Sequence, residues 1–169
     1  MANKQIKVRL VRDNAKLPVR ENGNWCDCFV SGVSVVRAHN VKGMNFNVFE
    51  HTSAVNTTGI TAYNTGDIVV VHLGFAADMG ENYEGHLLPR SSTFTKKGLI
   101  LTNSMGLIDD SYKGDDDEWL AVFYATRPGS IRIGDRVVQM TVERSNIFDI
   151  KEVDTLNNKN RGGYGTTGK

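Results

Sequence analysis

The chain carries no excess of either charge: 20 Lys and Arg stand against 19 Asp and Glu, a net charge of +1 over 169 residues. A protein that grips nucleic acid through its phosphates needs a basic surplus, so no nucleic-acid partner is expected and any anion site must be local. No apolar run approaches the ~20 residues of a membrane-spanning helix, and the opening MANKQIKVRL lacks the apolar core of a signal peptide. No membrane partner and a cytoplasmic location are therefore expected. There are two cysteines, Cys26 and Cys28. Strand neighbours at that spacing point the same way, but two ligands do not make a zinc site and a disulfide so short would be strained. Ordinary packed thiols are the expectation. Helical periodicity is almost missing, and there is no internal repeat and no linker. The length suggests one domain.

What is present is a series of short strands. Gln5 to Val11 alternates, with Ile6, Val8 and Leu10 on one face. Trp25 to Val36 is apolar and β-branched, and its Asp27 is costly there unless partnered. Ile68 to Leu73 (IVVVHL) reads as a buried strand. Phe75 to Met79, Tyr83 to Leu88, Trp119 to Ala125 and Arg136 to Val142 read as further strands. Leu99 to Thr102 and Met105 to Ile108 read as the arms of a hairpin around Asn103 and Ser104. Ser92 to Lys97 suits one short helical turn. The run Asp115 to Glu118 reads as a solvated turn, because consecutive carboxylates cannot all face one metal ion. The tail from Asn157 to Lys169 is polar and Gly-rich and cannot bury a core. Many short strands with little helix imply an all-β barrel or jelly roll.

One stretch concentrates the chemistry, Leu88 to Gly114 (LPRSSTFTKKGLILTNSMGLIDDSYKG). Arg90 offers planar charged donors to phosphate, and Ser91 and Ser92 offer neutral ones. Asp109 can take a proton from water, and Tyr112 offers a flat face and a hydroxyl. Taken singly, Asp109 reads as a turn carboxylate, Tyr112 as a core aromatic and Gln139 as a strand-edge amide.

Taken in order, LPRSSTFTKKG, NSMGLIDDSYKG, GDRVVQM and RGGYGTTG resemble the motif series of the trimeric dUTPase family, in the variety found in Bacillus and related phages. The stretch from Gly23 to Asp27 is similar to that family's first motif. The resemblance implies a jelly-roll homotrimer with a C-terminal tail exchanged between subunits. It implies Mg²⁺-dependent hydrolysis of dUTP to dUMP and pyrophosphate, which limits uracil in DNA and supplies dUMP. Asp109 is then the base that activates water and holds the 3′-hydroxyl. Tyr112 lies beneath the deoxyribose. Asn103 and the backbone of Gly106 to Ile108 read the uracil edge, and Arg90, Ser91, Ser92 and Gln139 hold phosphates. Asp27 reaches Mg²⁺ through water. From the tail, Arg161 clamps the terminal phosphate, Tyr164 stacks on uracil, and Gly165, Thr166 and Thr167 add donors. Residues 1–156 form the barrel and 157–169 an arm that closes over the site.

The chain also departs from the family pattern. Ser92 stands where many members have Gly, and Tyr164 where many have Phe. Lys159 occupies the place of the tail arginine in many members, so it competes with Arg161 as the clamp. Trp119 is a second candidate for the uracil lid. The stretch from about 31 to 63 is longer than the family needs, an insertion that could be decoration, a hairpin or a surface for a protein partner. Rival readings are a dCTP deaminase or a bifunctional deaminase–dUTPase, which share the Arg-Ser-Ser turn, and a regulatory binding protein on a dUTPase scaffold. A virion jelly roll is a third. The Asn103 to Tyr112 series argues against deamination, and intact Asp109, Arg90, Gln139 and Tyr164 argue against a mere binder.

Overall fold

The computed structural model describes residues 4–38 and 52–161. Twelve strands are found among them: β1 (Lys7–Leu10), β2 (Cys26–Cys28), β3 (Gly32–Val36), β4 (Ile60–Tyr63), β5 (Ile68–His72), β6 (Phe75–Asp78), β7 (Tyr83–Pro89), β8 (Leu99–Leu101), β9 (Gly106–Ile108), β10 (Leu120–Ala125), β11 (Gly129–Arg132) and β12 (Val138–Arg144). The single helix among the described residues is α1 (Thr93–Lys97), ended by Gly98 at φ 68°. Gly98 suits that place because a left-handed C-cap strains any residue with a Cβ.

Two four-stranded sheets carry the fold, ordered β3-β5-β10-β8 and β2-β12-β7-β9; the pairs β1-β6 and β11-β4 flank them. The two large sheets face each other across one core. Val33, Val35, Val69, Val71, Phe123 and Leu99 come from the first sheet, and Cys28, Leu87, Val138 and Met140 from the second. Two facing sheets around one core are the layout of the all-β jelly roll that the many short strands imply. IVVVHL is the central strand, and its Val69, Val70 and Val71 are all fully buried, as an unbroken apolar run requires. The segment from Trp25 to Val36 resolves into β2 and β3, broken at Phe29–Ser31. The flanks of the 31–63 stretch belong to the sheets: β3 pairs with β5, and β4 pairs with β11. Residues 39–51 lie outside the described residues.

Three expectations need correction. Leu99–Thr102 and Met105–Ile108 do not form a paired hairpin. β8 pairs with β10 in one sheet and β9 pairs with β7 in the other, so the chain arches from sheet to sheet through Asn103 and Ser104. Ser104 takes φ 61° to make that turn. Local apolarity marks both strands equally well but does not say which neighbour each will pair with. Trp119 cannot cover a base: it is fully buried, tilted against Phe75 with ring centroids 5.2 Å apart. A Cβ built on Gly85 would meet its ring at 2.3 Å, so a glycine in β7 makes room for the indole. Lastly, the run Asp115 to Glu118 is not uniformly solvated. Asp115 and Asp116 are exposed, whereas the Glu118 side chain is only 13% exposed.

Candidate active site

β2, β12 and the end of β7 assemble the first group of predicted residues. Gln139 on β12 pairs with Asp27 on one side and Leu88 on the other. This register places the amide beside the carboxylate and one residue from the Pro89–Arg90 corner. The partner that Asp27 requires is present twice. Arg90 Nε lies 2.8 Å from Oδ1 and Arg136 Nη1 lies 3.2 Å from Oδ2, while Arg136 also meets Glu21 at 2.6 Å. Gln139 Nε2 donates to the Pro89 carbonyl at 3.3 Å. Asp27, Arg90, Ser91 and Gln139 line one cavity of about 260 Å³ together with Trp25. Arg90, Ser92, Lys96, Lys97 and Arg136 line an adjoining one of about 360 Å³. Lys97 is committed to Asp135 at 2.7 Å, which leaves the paired cations Arg90 and Arg136 and the lysine Lys96 facing the second cavity. Such a corner suits a phosphate chain: planar donors, hydroxyls, and a carboxylate that keeps the guanidiniums in place.

The second group stands on the loop after β9. Asp109 is exposed, and its Oδ1 accepts the Ser111 N–H at 2.8 Å. The Ser111 hydroxyl and then this N–H hold the Asp109 carboxyl below the ordinary range, so it is a carboxylate at neutral pH. Tyr112 N–H closes the turn onto the Asp109 carbonyl at 3.1 Å, and the ring is 41% exposed. Asn103 is exposed at the arch; Gly106 is buried against Leu87, and Ile108 is half-buried.

The fold of one chain does not bring the two groups together. Ile108 pairs with Gly85, and Arg90 follows five residues further on, just past the end of β7. At ~3.4 Å per residue this separates the start of the Asp109 turn from Arg90 by roughly 17 Å. Arg161 is exposed at the end of the described residues. Tyr164, Gly165, Thr166 and Thr167 lie outside them.

A third cluster leaves little trace in the sequence. Arg12 grips Glu118 with two bonds of 2.6 Å, and His72 Nδ1 stands 3.1 Å from Glu118 Oε2. Ser34 Oγ lies 3.3 Å from His72 Nε2. A Ser–His–Glu series is the layout of a hydrolytic triad. Ser34 is, however, 1% exposed, so no substrate reaches it. Burial raises the Glu118 carboxyl, but hydrogen bonds from Arg12 and His72 outweigh it and leave it at about 2. The residues are far apart in sequence, and only the charged run and IVVVHL's unexpected histidine hint at it.

Among the described residues no three His, Cys, Asp or Glu side chains gather to hold a metal. Cys26 and Cys28 are free, and burial pushes the Cys28 thiol up. No helix among the described residues is long and apolar enough to cross a membrane.

Comparison with known proteins gives this arrangement its context. Residues 53–168 match the family model described as dUTPase. The prophage-derived deoxyuridine 5′-triphosphate nucleotidohydrolase of Bacillus subtilis is 46% identical over 108 residues, covering 63% of this chain and 76% of that protein. Among solved structures, the dUTPase of Staphylococcus bacteriophage 80alpha, determined with dUpNHpp, superposes with a TM-score of 0.67 at 17% identity. It covers 99% of this chain and 100% of that one. A dUTPase variant of Staphylococcus aureus phage phi11, studied for the coordination of a structural Mg(II) ion, gives 0.63 at 17% identity over 90% and 98%. These two likenesses establish the fold, and the family match, which spans more than half of the sequence, establishes that the chain belongs to the dUTPase family.

Proposed function

We propose that the protein hydrolyses dUTP to dUMP and pyrophosphate in the cytoplasm of a bacterial or phage-infected cell, with Asp109 as the base. The carrying observation is the Asp109 carboxylate: exposed, ionised and fixed by Ser111 one turn from the open face of Tyr112. Asp109 takes a proton from water as the oxygen bonds to the α-phosphorus. The bond to the bridging oxygen breaks, and pyrophosphate leaves with its electron pair. Tyr112 supports the deoxyribose, where a 2′-hydroxyl would collide. Asn103 and the Gly106–Ile108 backbone accept and donate at the uracil edge, an arrangement that rejects cytosine by mismatched donors and thymine by the bulk of its methyl group. Arg90, Ser91, Ser92 and Gln139 hold the phosphates.

A base must stand within contact of the water it activates, and that water must approach phosphorus held by the other group. A separation of roughly 17 Å along β7 is therefore bridged most simply by using Asp109 of one copy and Arg90 of another. A homotrimer with composite sites is our reading. The segment after β12 supports it: Ile147 and Phe148 are 72% exposed and Ile150 89%, an apolar strap suited to lie on a neighbouring copy. On this reading residues 1–156 form the barrel. The arm 157–169 closes over the bound nucleotide through Arg161 or Lys159, Tyr164, Gly165, Thr166 and Thr167.

Mg²⁺ fits the donor set as an ion carried mostly by triphosphate oxygens and water, since both carboxylates of the corner are already paired, Asp27 with two arginines and Glu21 with Arg136. When bound, it would neutralise phosphate charge. Pyrophosphate release from dUTP, dCTP, dTTP and UTP, with and without Mg²⁺, tests the reading. Release from dUTP alone, lost in Asp109→Asn, is expected; ammonia release from dCTP or an inert trimer would overturn it.

A further inference from the structure

The loop that carries Asp109 and Tyr112 is fastened at its far end by a residue outside the motif series. Tyr112 Oη donates to the main-chain carbonyl of Glu118 at 3.2 Å. The Glu118 side chain is in turn held from three directions. Arg12 donates Nε to Oε1 and Nη2 to Oε2, both at 2.6 Å, the Gly74 N–H donates to Oε1 at 2.9 Å, and His72 Nδ1 stands 3.1 Å from Oε2. His72 is itself backed by Ser34, a buried residue of β3. These partners lie after β1, at the end of β5, between β5 and β6, and on β3. A carboxylate with both oxygens engaged by groups on three separate places of the framework, one of them backed by a fourth, has one position available. Its main chain then has one as well, because Trp119 N–H, the next in the chain, is bound to the Phe75 carbonyl at 2.9 Å.

We propose that Glu118 is a positioning residue for sugar selection: anchored by Arg12, His72 and Gly74, it fixes through its carbonyl the Tyr112 ring against which deoxyribose and ribose are told apart. This rests on the reading that Tyr112 lies beneath the sugar. The ring's other tether, Tyr112 N–H to the Asp109 carbonyl at 3.1 Å, fixes the start of the side chain but not the direction of the ring. A ring free to tilt leaves space for a 2′-hydroxyl, so loss of the anchor should relax selection more than it lowers turnover of dUTP. An ion pair with a purely structural role would instead lower the melting temperature and leave selection alone.

The test uses the whole 169-residue chain in its assembled form and three variants: Tyr112→Phe, which keeps the ring and removes the hydroxyl, Glu118→Gln, which keeps the shape and removes the charge, and Arg12→Lys, which keeps the charge and removes the fork. The ratio of kcat/KM for dUTP to that for UTP is measured alongside thermal melting. The ratio is expected to fall about tenfold in Tyr112→Phe and Glu118→Gln and less in Arg12→Lys, through a rise in KM for dUTP and faster UTP turnover. Should Glu118→Gln fail to fold, Tyr112→Phe and Arg12→Lys carry the test. Melting temperatures that fall while the ratio stays within twofold of wild type overturn the inference and leave the active-site reading intact. A wild type that does not prefer dUTP to UTP overturns that reading, and the inference with it.

Discussion

Asp27 sits on a strand, 14% exposed, between two guanidiniums whose positions it helps to set. Asp109 sits on an exposed turn, with Ser111 as its donor and open solvent in front. The first belongs to a corner made by strand register, in which Gln139 and Asp27 are neighbours because β12 pairs with β2. The second belongs to a loop that leaves one sheet, touches the other and is fastened from below by Glu118. The proposed phosphate corner thus depends on charge pairing over a rigid sheet, and the proposed base-and-sugar loop on turn hydrogen bonds and a remote anchor. Both oxygens of Asp27 face a guanidinium, whereas Asp109 has open solvent in front of it and can meet a water.

The comparison is broken most severely by Asp109→Asn. Pyrophosphate release should fall by about 10²–10⁴-fold, the usual worth of a positioned base, with the melting temperature unchanged. An equal loss in Asp27→Asn, with Asp109→Asn still active, would exchange the two roles.

Deletion of residues 157–169 should lower turnover about 10²-fold if the arm completes the site, with the oligomer in sedimentation intact. Replacing Ile147 and Phe148 by Ser should instead dissociate it. Next in size, Arg90→Lys should raise KM for dUTP roughly tenfold, because a point charge cannot replace a planar fork facing both Asp27 and phosphate.

A smaller effect concerns acid. The folded Glu118 carboxyl stands at about 2 against an ordinary 4.5. Its contribution to stability is therefore present above 4.5 and is lost as pH falls from there towards 2. Melting curves at pH 7 and pH 3 should show a decline in wild type that is smaller in Glu118→Gln. The smallest effect separates the two tryptophans. Trp25 lines the cavity of Asp27 and Arg90, and Trp119 is sealed in the core. A fluorescence change on adding a dUTP analogue should survive Trp119→Phe and disappear in Trp25→Phe.

Much of this is legible in the order of the amino acids. IVVVHL announces a doubly covered strand, and the isolated charge of Asp27 among apolar neighbours announces that partners will be found. The arch at Asn103 is not legible, because apolar alternation identifies strands but not their pairing. Glu118 is hidden for a related reason: in a run of four acidic residues, nothing local tells which one turns inward.

The sequence by itself determined most of the strands, though not β4 or β11, along with the identity of the chemical groups and the motif order that places the chain in the dUTPase family. Those follow from side-chain chemistry and periods of two or three residues, which are local. Only the tertiary structure decided that Arg90 and Arg136 share Asp27, that Trp119 belongs to the core, and that Arg12, His72 and Glu118 meet. It also decided that Asp109 stands apart from Arg90 within one chain. Each of these depends on register and on contacts between residues tens of positions apart, fixed only when two sheets close on a common core.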